Sequence, residues 1–280
     1  VKICQLPEQS GVAAARNAGA KYARGEILLF VDSDIIVQRE TIESVVANFQ
    51  SYPDIVAVFG SYDDAPLKKN FISQYRNLLH HFQHQQSKKE AFTFWGGCGA
   101  ILKKVFDEIG GFDQKRYKKP SIEDIELGYR VRKKGYRMFL NRDIHVKHLK
   151  QWKFLPMLRT DIFQRAIPWS RLIMEAEFIP NDLNLHVSHK ISAMSADLMI
   201  LMIPFFFFGQ TKFYGVPVAS TAFIFSLILF TNILILNRKL YGFYAHKRGL
   251  RFMMQVIPLH ILYYLYSSVS FAFCWITHKR

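Results

Sequence analysis

Three long, almost uncharged stretches near the C-terminus constrain this chain more than any other feature. From Ile191 to Thr211 the one charged residue is Asp197, and Phe213 to Asn237 and Phe252 to His278 contain no Asp, Glu, Lys or Arg. A helix of about 20 apolar residues spans a hydrocarbon core about 30 Å thick, so each stretch is long enough to cross a bilayer. Runs such as Phe205 to Phe208 and Phe223 to Phe230 are apolar all round. Three buried helices of a soluble protein fit them poorly, because no polar face is left for water.

The charge distribution agrees. The net charge is +15, and from Lys190 onward nine Lys/Arg face one acidic residue, a balance of +8 that leaves +7 for the preceding 189 residues. The basic surplus is densest where the chain is most apolar. That pattern suits the head groups of membrane lipids and not nucleic acid. Arg238, Lys239, Lys247, Arg248 and Arg251 lie between the second and third stretches, whereas the first loop holds only Lys212. By the positive-inside rule the basic loop is cytoplasmic, and parity places the N-terminal half there too, although Lys279 and Arg280 count against it. The expected location is a cell membrane, with several passes. Cys4, Cys98 and Cys274 are scattered and odd in number, which gives neither a disulfide framework nor metal-ligand spacing.

Residues 1–150 have a different character. VKICQL reads as a strand, GVAAARNAGAKYA as an Ala-rich helix, ILLFVDSD as a buried strand ending in acids, ETIESVVANFQ as a helix and IVAVFGSY as a further strand. Alternating strands and helices predict an α/β domain with a mixed, mainly parallel sheet flanked by helices. Ligands of such sheets sit at the carboxyl ends of strands, where Asp32, Ser33 and Asp34 fall. Between the halves, residues 151–189 read as amphipathic linker helices. WKFLPMLRTDIFQRAIPWSRLIM mixes Trp, Phe, Leu and Ile with basic side chains, the composition of a helix lying in the membrane interface or packed on the soluble domain. Residues 190–280 form the membrane region, with spans at about 191–211, 213–237 and 252–277.

Asp32 and Asp34 place two carboxylates at one strand end. Mg²⁺ or Mn²⁺ binds through one or two carboxylates plus substrate phosphates, and two like charges this close are unfavourable without a cation. A solvated turn would explain the pair equally simply. Glu123 and Asp124 also fit ordinary helix N-terminal chemistry, with Ser121 as the cap. His145 and His148, three apart on a strand, face opposite ways and do not share one metal.

Taken together, Ala15–Gly19, Asp32–Asp34, Gly96–Gly97 and Glu123–Asp124 occur in the order found in family 2 glycosyltransferases of the GT-A fold. Residues 1–170 resemble that family, and the apolar tail resembles its membrane-bound branch. The resemblance implies an inverting glycosyltransferase that moves a sugar from a nucleotide-sugar donor to a lipid-linked or glycan acceptor near the membrane. Asp32 and Asp34 would hold a divalent metal, with His148 as a further contact. Asp124 would be the catalytic base, supported by Glu123. Arg16, Asn17, Asp32, Ser33 and Arg165 would face the nucleotide-sugar, and Trp95, Gly96 and Gly97 the acceptor. Gln164, Arg165 and Trp169 depart in spacing from the signature of processive members, which argues against a polysaccharide synthase. A non-catalytic membrane scaffold is the other alternative, against which the intact carboxylates speak. The family begins with a nucleotide-binding β-α-β unit not found in this chain, so residues 1–280 alone are expected to be nearly inactive and the full protein active.

Overall fold

The computed structural model describes residues 2–6, 10–176, 186–207, 211–213 and 215–278. The chain divides into two compact units, Val1–Leu172 and Ile173–Arg280.

In the first unit, helix α1 (Gly11–Tyr22) leads into β1 (Ile27–Val31) and β2 (Ile35–Val37), followed by α2 (Thr41–Ser51), β3 (Ile55–Tyr62) and α3 (Phe71–Gln86). Then come β4 (Glu90–Ala91), β5 (Cys98–Leu102), α4 (Lys103–Glu108), α5 (Glu123–Lys133) and β6 (Arg137–His148). The sheet order is β1-β5-β3-β6-β2, with β4 also on β6. Of these pairings only β3–β6 is parallel. The expectation of mainly parallel pairing therefore needs correcting within an α/β fold that is otherwise as predicted. The reason is that β5 runs backwards between β1 and β3. Strands β1, β3 and β6 share one direction, yet β1 and β3 are not neighbours. Their carboxyl ends, and the amino end of β5, meet at one edge: Val31 pairs with Cys98, and Tyr62 with Val146.

Packing follows the sequence pattern. In β1, Leu28 and Phe30 point inward, and Phe30 meets the rings of Phe106 and Phe112 at 5.4 and 5.2 Å. Strand β3 is buried along nearly its whole length because both faces are covered. The small residues Ala13 and Ala20 let α1 lie close on that core. Its first residue, Gly11, has φ +81°, and a Cβ there would come within 2.4 Å of the Lys118 carbonyl oxygen. Only glycine suits that start.

One expectation fails locally. Lys2–Leu6 form no strand, and Val1 lies outside the described residues. An extended segment without a neighbour has no ladder to join, and Lys2 to Gln5 are exposed.

Beyond β6 come α6 (Phe154–Thr160), a π-helical turn (Asp161–Ala166) and α7 (Ile167–Glu175). Residues 177–185, the remainder of the expected linker, are outside the described residues. The segment is partly buried and partly exposed. Met157, Asp161 and Leu172 are buried, while Phe154, Leu155 and Phe163 are exposed. Arg76 of α3 donates to the buried Asp161 carboxylate at 2.6 Å. Asp161→Ala is expected to cost about 1.5–3 kcal/mol, the range for hydrogen bonds to charged groups, read as a lower thermal midpoint.

The second unit holds α8 (Val187–Met202) with a 3₁₀ extension (Ile203–Phe207), a short hairpin of β7 (Lys212–Phe213) and β8 (Val216–Pro217), then α9 (Val218–Leu236), α10 (Arg238–Arg248) and α11 (Leu250–Thr277). Three helical segments, Val187–Phe207, Val218–Leu236 and Leu250–Thr277, are long and apolar enough to cross a membrane. The second begins at Val218 and not Phe213, because the hairpin takes up the intervening residues. Residues 208–210 and 279–280 lie outside the described residues. Most large side chains on these helices, such as Phe223, Ile228 and Phe271, face outward, while a polar seam runs inside. Asn237 donates to the Ser192 hydroxyl at 3.0 Å, the Tyr264 hydroxyl donates to Asn237 at 2.9 Å, and Asn232 donates to Ser195 at 3.0 Å.

Candidate active site

The sheet edge where β1, β3 and β6 end gathers most of the residues singled out from the sequence. After Val31 the chain turns: the Asp32 N–H donates to the Gly97 carbonyl at 3.0 Å, and the Ile35 N–H donates back to the Asp32 carbonyl at 3.2 Å. Asp32 and Asp34 sit in this turn with side chains 36% and 40% exposed, and Ser33 is exposed at its tip. Because β2 pairs antiparallel with β6, Ile35 lies opposite His148. That register brings His148 Nε2 to 3.5 Å from Asp34 Oδ2. The His148 ring is buried and stacks on Tyr62, centroids 4.3 Å apart and planes 12° from parallel. Burial pulls its pKa below the ordinary value, against the opposing pull of Asp34, so the imidazole is neutral and able to act as a ligand. His145 instead approaches Gln85 and the ring of His81, away from His148.

Helix α5 brings the second acid pair. Its N-cap position is Ile122, not Ser121, and no side chain caps it. The Ser121 hydroxyl donates instead to the Gln164 carbonyl of the π-helical turn at 2.8 Å. Such turns are rare and frequently mark functional segments. Glu123 is buried and accepts from the Ser121 N–H at 2.9 Å. Asp124 accepts from the Gly96 N–H at 2.9 Å and the Ile125 N–H at 2.8 Å. Burial foremost, and then the neighbouring Glu123 charge, push the Asp124 carboxyl up to about 7, although Arg16 and the two N–H donors pull the other way.

Arg16 joins the two pairs. One guanidinium nitrogen donates to Asp32 at 2.6 Å and another to Glu123 at 2.9 Å, with the Phe112 ring 5.3 Å away. A Cβ at Gly96 would lie 2.8 Å from the guanidinium, so the glycine leaves room for it.

Other singled-out residues have different employment. The Asn17 amide exchanges hydrogen bonds with the Phe112 backbone, its Nδ2 donating at 2.8 Å and its Oδ1 accepting at 2.9 Å. It fastens the Gly111–Phe112 turn to α1, and its amide is engaged by protein. Arg165 pairs with Asp161 at 3.3 Å and lies over the Trp152 ring, so its contacts are not with the carboxylates at the sheet edge. Trp95 packs with Tyr62, His80 and His84, at centroid separations of 4.9, 5.0 and 5.7 Å. This aromatic wall behind His148 was missed in the sequence. The available signals were Tyr62 at the end of β3 and the i, i+4 pair His80 and His84 on α3. Burial holds both histidines neutral, His80 well below its ordinary value and His84 down to about 4.

Among the described residues no three His, Cys, Asp or Glu side chains group into a ready-made metal site. Asp34 and His148 form a pair, and Asp32, two residues away, is engaged by Arg16. Two partly open carboxylates beside a neutral imidazole nonetheless fit a hard divalent cation that draws its remaining ligands from a diphosphate.

A mixed sheet with this acid-bearing edge, the second acid pair on a helix beside it, defines the GT-A class. Residues 1–110 match the model described as Glycosyl transferase family 2. The mannosyltransferase PcManGT from Pyrobaculum calidifontis, solved with GDP-Man and Mn²⁺, shares the fold with a TM-score of 0.52 and 17% identity, over 97% of this chain and 69% of that one. Glucosyl-dolichyl phosphate glucuronosyltransferase of Haloferax volcanii is 24% identical over 151 residues, 50% of this chain and 48% of that protein. Poly-beta-1,6-N-acetyl-D-glucosamine synthase of Staphylococcus aureus is 24% identical over 172 residues, 59% of this chain and 39% of that protein. The chain thus spans about half the length, or less, of these curated relatives.

Proposed function

We propose that the chain belongs to an inverting glycosyltransferase that moves a sugar from a nucleotide-sugar to a lipid-linked or membrane-proximal acceptor at the cytoplasmic face of a cell membrane. The observation that carries this reading is the meeting at one sheet edge of Asp32, Asp34 and His148 with an Asp124 carboxyl raised towards neutrality. The fold of PcManGT, which holds GDP-Man and Mn²⁺, and the dolichyl phosphate in the name of the archaeal relative agree in kind.

Asp32, Asp34 and His148 would hold the Mg²⁺ or Mn²⁺. When bound, such a cation supplies Lewis-acid stabilisation to the departing diphosphate. Asp124 takes the proton from the acceptor hydroxyl as that oxygen attacks the anomeric carbon. The bond from that carbon to the diphosphate oxygen breaks, and the nucleoside diphosphate leaves with the electron pair. A single displacement of this kind inverts the anomeric centre. Glu123 adds its charge to the burial that raises the Asp124 carboxyl, and Trp95, Gly96 and Gly97 line the acceptor's approach.

The test uses membranes holding the full-length protein and a panel of nucleotide-sugars, with Mn²⁺, Mg²⁺ or chelator. One donor is expected to release nucleoside diphosphate in a metal-dependent way. Release that ignores both chelator and Asp124→Asn would end the reading. The staphylococcal relative, a polymer synthase by name, supports a second reading as a processive enzyme. Product length separates the two. Gly96→Ala is expected to displace the Arg16 guanidinium and lower kcat/KM on the order of 10²-fold, as small misplacements in a site do.

A further inference from the structure

Arg16 is shared between the two halves of the site in an unusual way. Its guanidinium does not fork onto one carboxylate. One arm goes to Asp32 and the other to Glu123, at 2.6 and 2.9 Å, and the side chain is only 12% exposed. An oxygen already held by one cation is a poorer ligand for a second, because the newcomer must displace the first or share with it. A divalent cation and Arg16 therefore compete for Asp32. A diphosphate changes that balance, because its oxygens offer the displaced guanidinium the planar, bidentate anion it recognises well. The arm on Glu123 keeps Arg16 within reach throughout.

We propose that Arg16 is a positioning residue that makes cation binding at Asp32 conditional on a diphosphate. It occupies the carboxylate until a phosphate gives its guanidinium a replacement partner, so cation and donor bind together and neither settles well alone. Through Glu123 the same exchange reaches the helix that carries Asp124. The inference rests on the reading of Asp32 and Asp34 as cation ligands.

The experiment follows free Mn²⁺ by electron paramagnetic resonance with the full-length protein in lipid nanodiscs. UDP or GDP is present or absent, no acceptor is added, and the Mn²⁺–nucleotide complex in solution is subtracted. In the wild type the nucleotide is expected to tighten Mn²⁺ about tenfold or more, within the usual range of coupling between sites. Arg16→Gln is expected to bind Mn²⁺ alone several-fold more tightly than wild type, with the nucleotide effect reduced to about twofold or less, well below that range. Arg16→Lys keeps the charge without the two-armed geometry and should fall between them, which preserves the test if the glutamine variant does not fold. An Arg16→Gln protein that folds but binds Mn²⁺ no more tightly than wild type overturns the proposal. So does a wild type that binds Mn²⁺ fully without nucleotide. A wild type that binds no Mn²⁺ even with nucleotide overturns the cation reading of Asp32 and Asp34, and this inference with it.

Discussion

Replacing Asp124 by Asn is expected to lower kcat by about 10²–10⁴-fold, the range a positioned general base contributes. The substitution keeps the shape of the side chain. Its amide end must, however, face either the Gly96 or the Ile125 N–H, both of which now point at carboxylate oxygens. Since the Asp124 carboxyl is pushed up to about 7, kcat/KM of the wild type should rise with pH to near 7 and level off above it. Stability should run the other way. A carboxyl whose pKa is higher folded than unfolded holds its proton better in the native state. The fold is then favoured at low pH, and it loses that advantage between about 4 and 7 as the charge is forced into a buried place. Asn carries no such charge. At pH 8 the Asp124→Asn protein should melt at a higher temperature than wild type, with the gap closing towards pH 4. A flat pH profile for the wild type, or a variant less stable at pH 8, would count against the assignment.

Asp34→Ala should act on the donor and not on the proton. Lewis-acid stabilisation of a leaving group is worth several kcal/mol, which corresponds to about 10³-fold in rate. Loss of the carboxylate facing His148 should therefore lower kcat/KM by about that factor and abolish tight Mn²⁺ binding in the presence of UDP or GDP. Chelator treatment of the wild type should reproduce the defect. His148→Ala should cost less, since the two carboxylates remain. An Asp34→Ala enzyme within about tenfold of wild type, or one with unchanged Mn²⁺ binding, contradicts the metal role.

What could be read in the sequence was mostly local. A buried run ending in Asp32 and Asp34 announces a strand edge, and β1 ends at Val31 with both acids just beyond. Uncharged stretches of helical length announce spans, and three helices of that kind are present. Strand direction was less legible. Nothing local to Cys98–Leu102 shows that it slots as a strand between β1 and β3. Long-range side-chain employment was least legible of all. Asn17 and Phe112 are 95 residues apart, and Arg16 and Glu123 are 107 apart. Nothing in the spacing of these residues along the chain reveals a hydrogen bond between them. Ser121 is instructive in the same sense. As a candidate cap it was a sound local guess, and a tertiary partner, the Gln164 carbonyl in the π-helical turn, took its hydroxyl instead.

The polar seam within the second unit has a consequence for how the protein is made. Ser192 on α8 finds its partner Asn237 only 45 residues downstream, and Asn237 in turn depends on Tyr264, 27 residues later still. An unsatisfied polar group in hydrocarbon is costly, so if the three candidate spans cross a bilayer, α8 would leave the ribosome as a helix unsuited to remain alone among lipid tails. Its release from the insertion machinery should therefore wait for α9 and α11, and the three helices should enter the bilayer as a group. A nascent chain stalled with α8 clear of the ribosome but Asn237 and α11 still inside it would then still crosslink to the translocon through α8, whereas one stalled with α11 also clear would not.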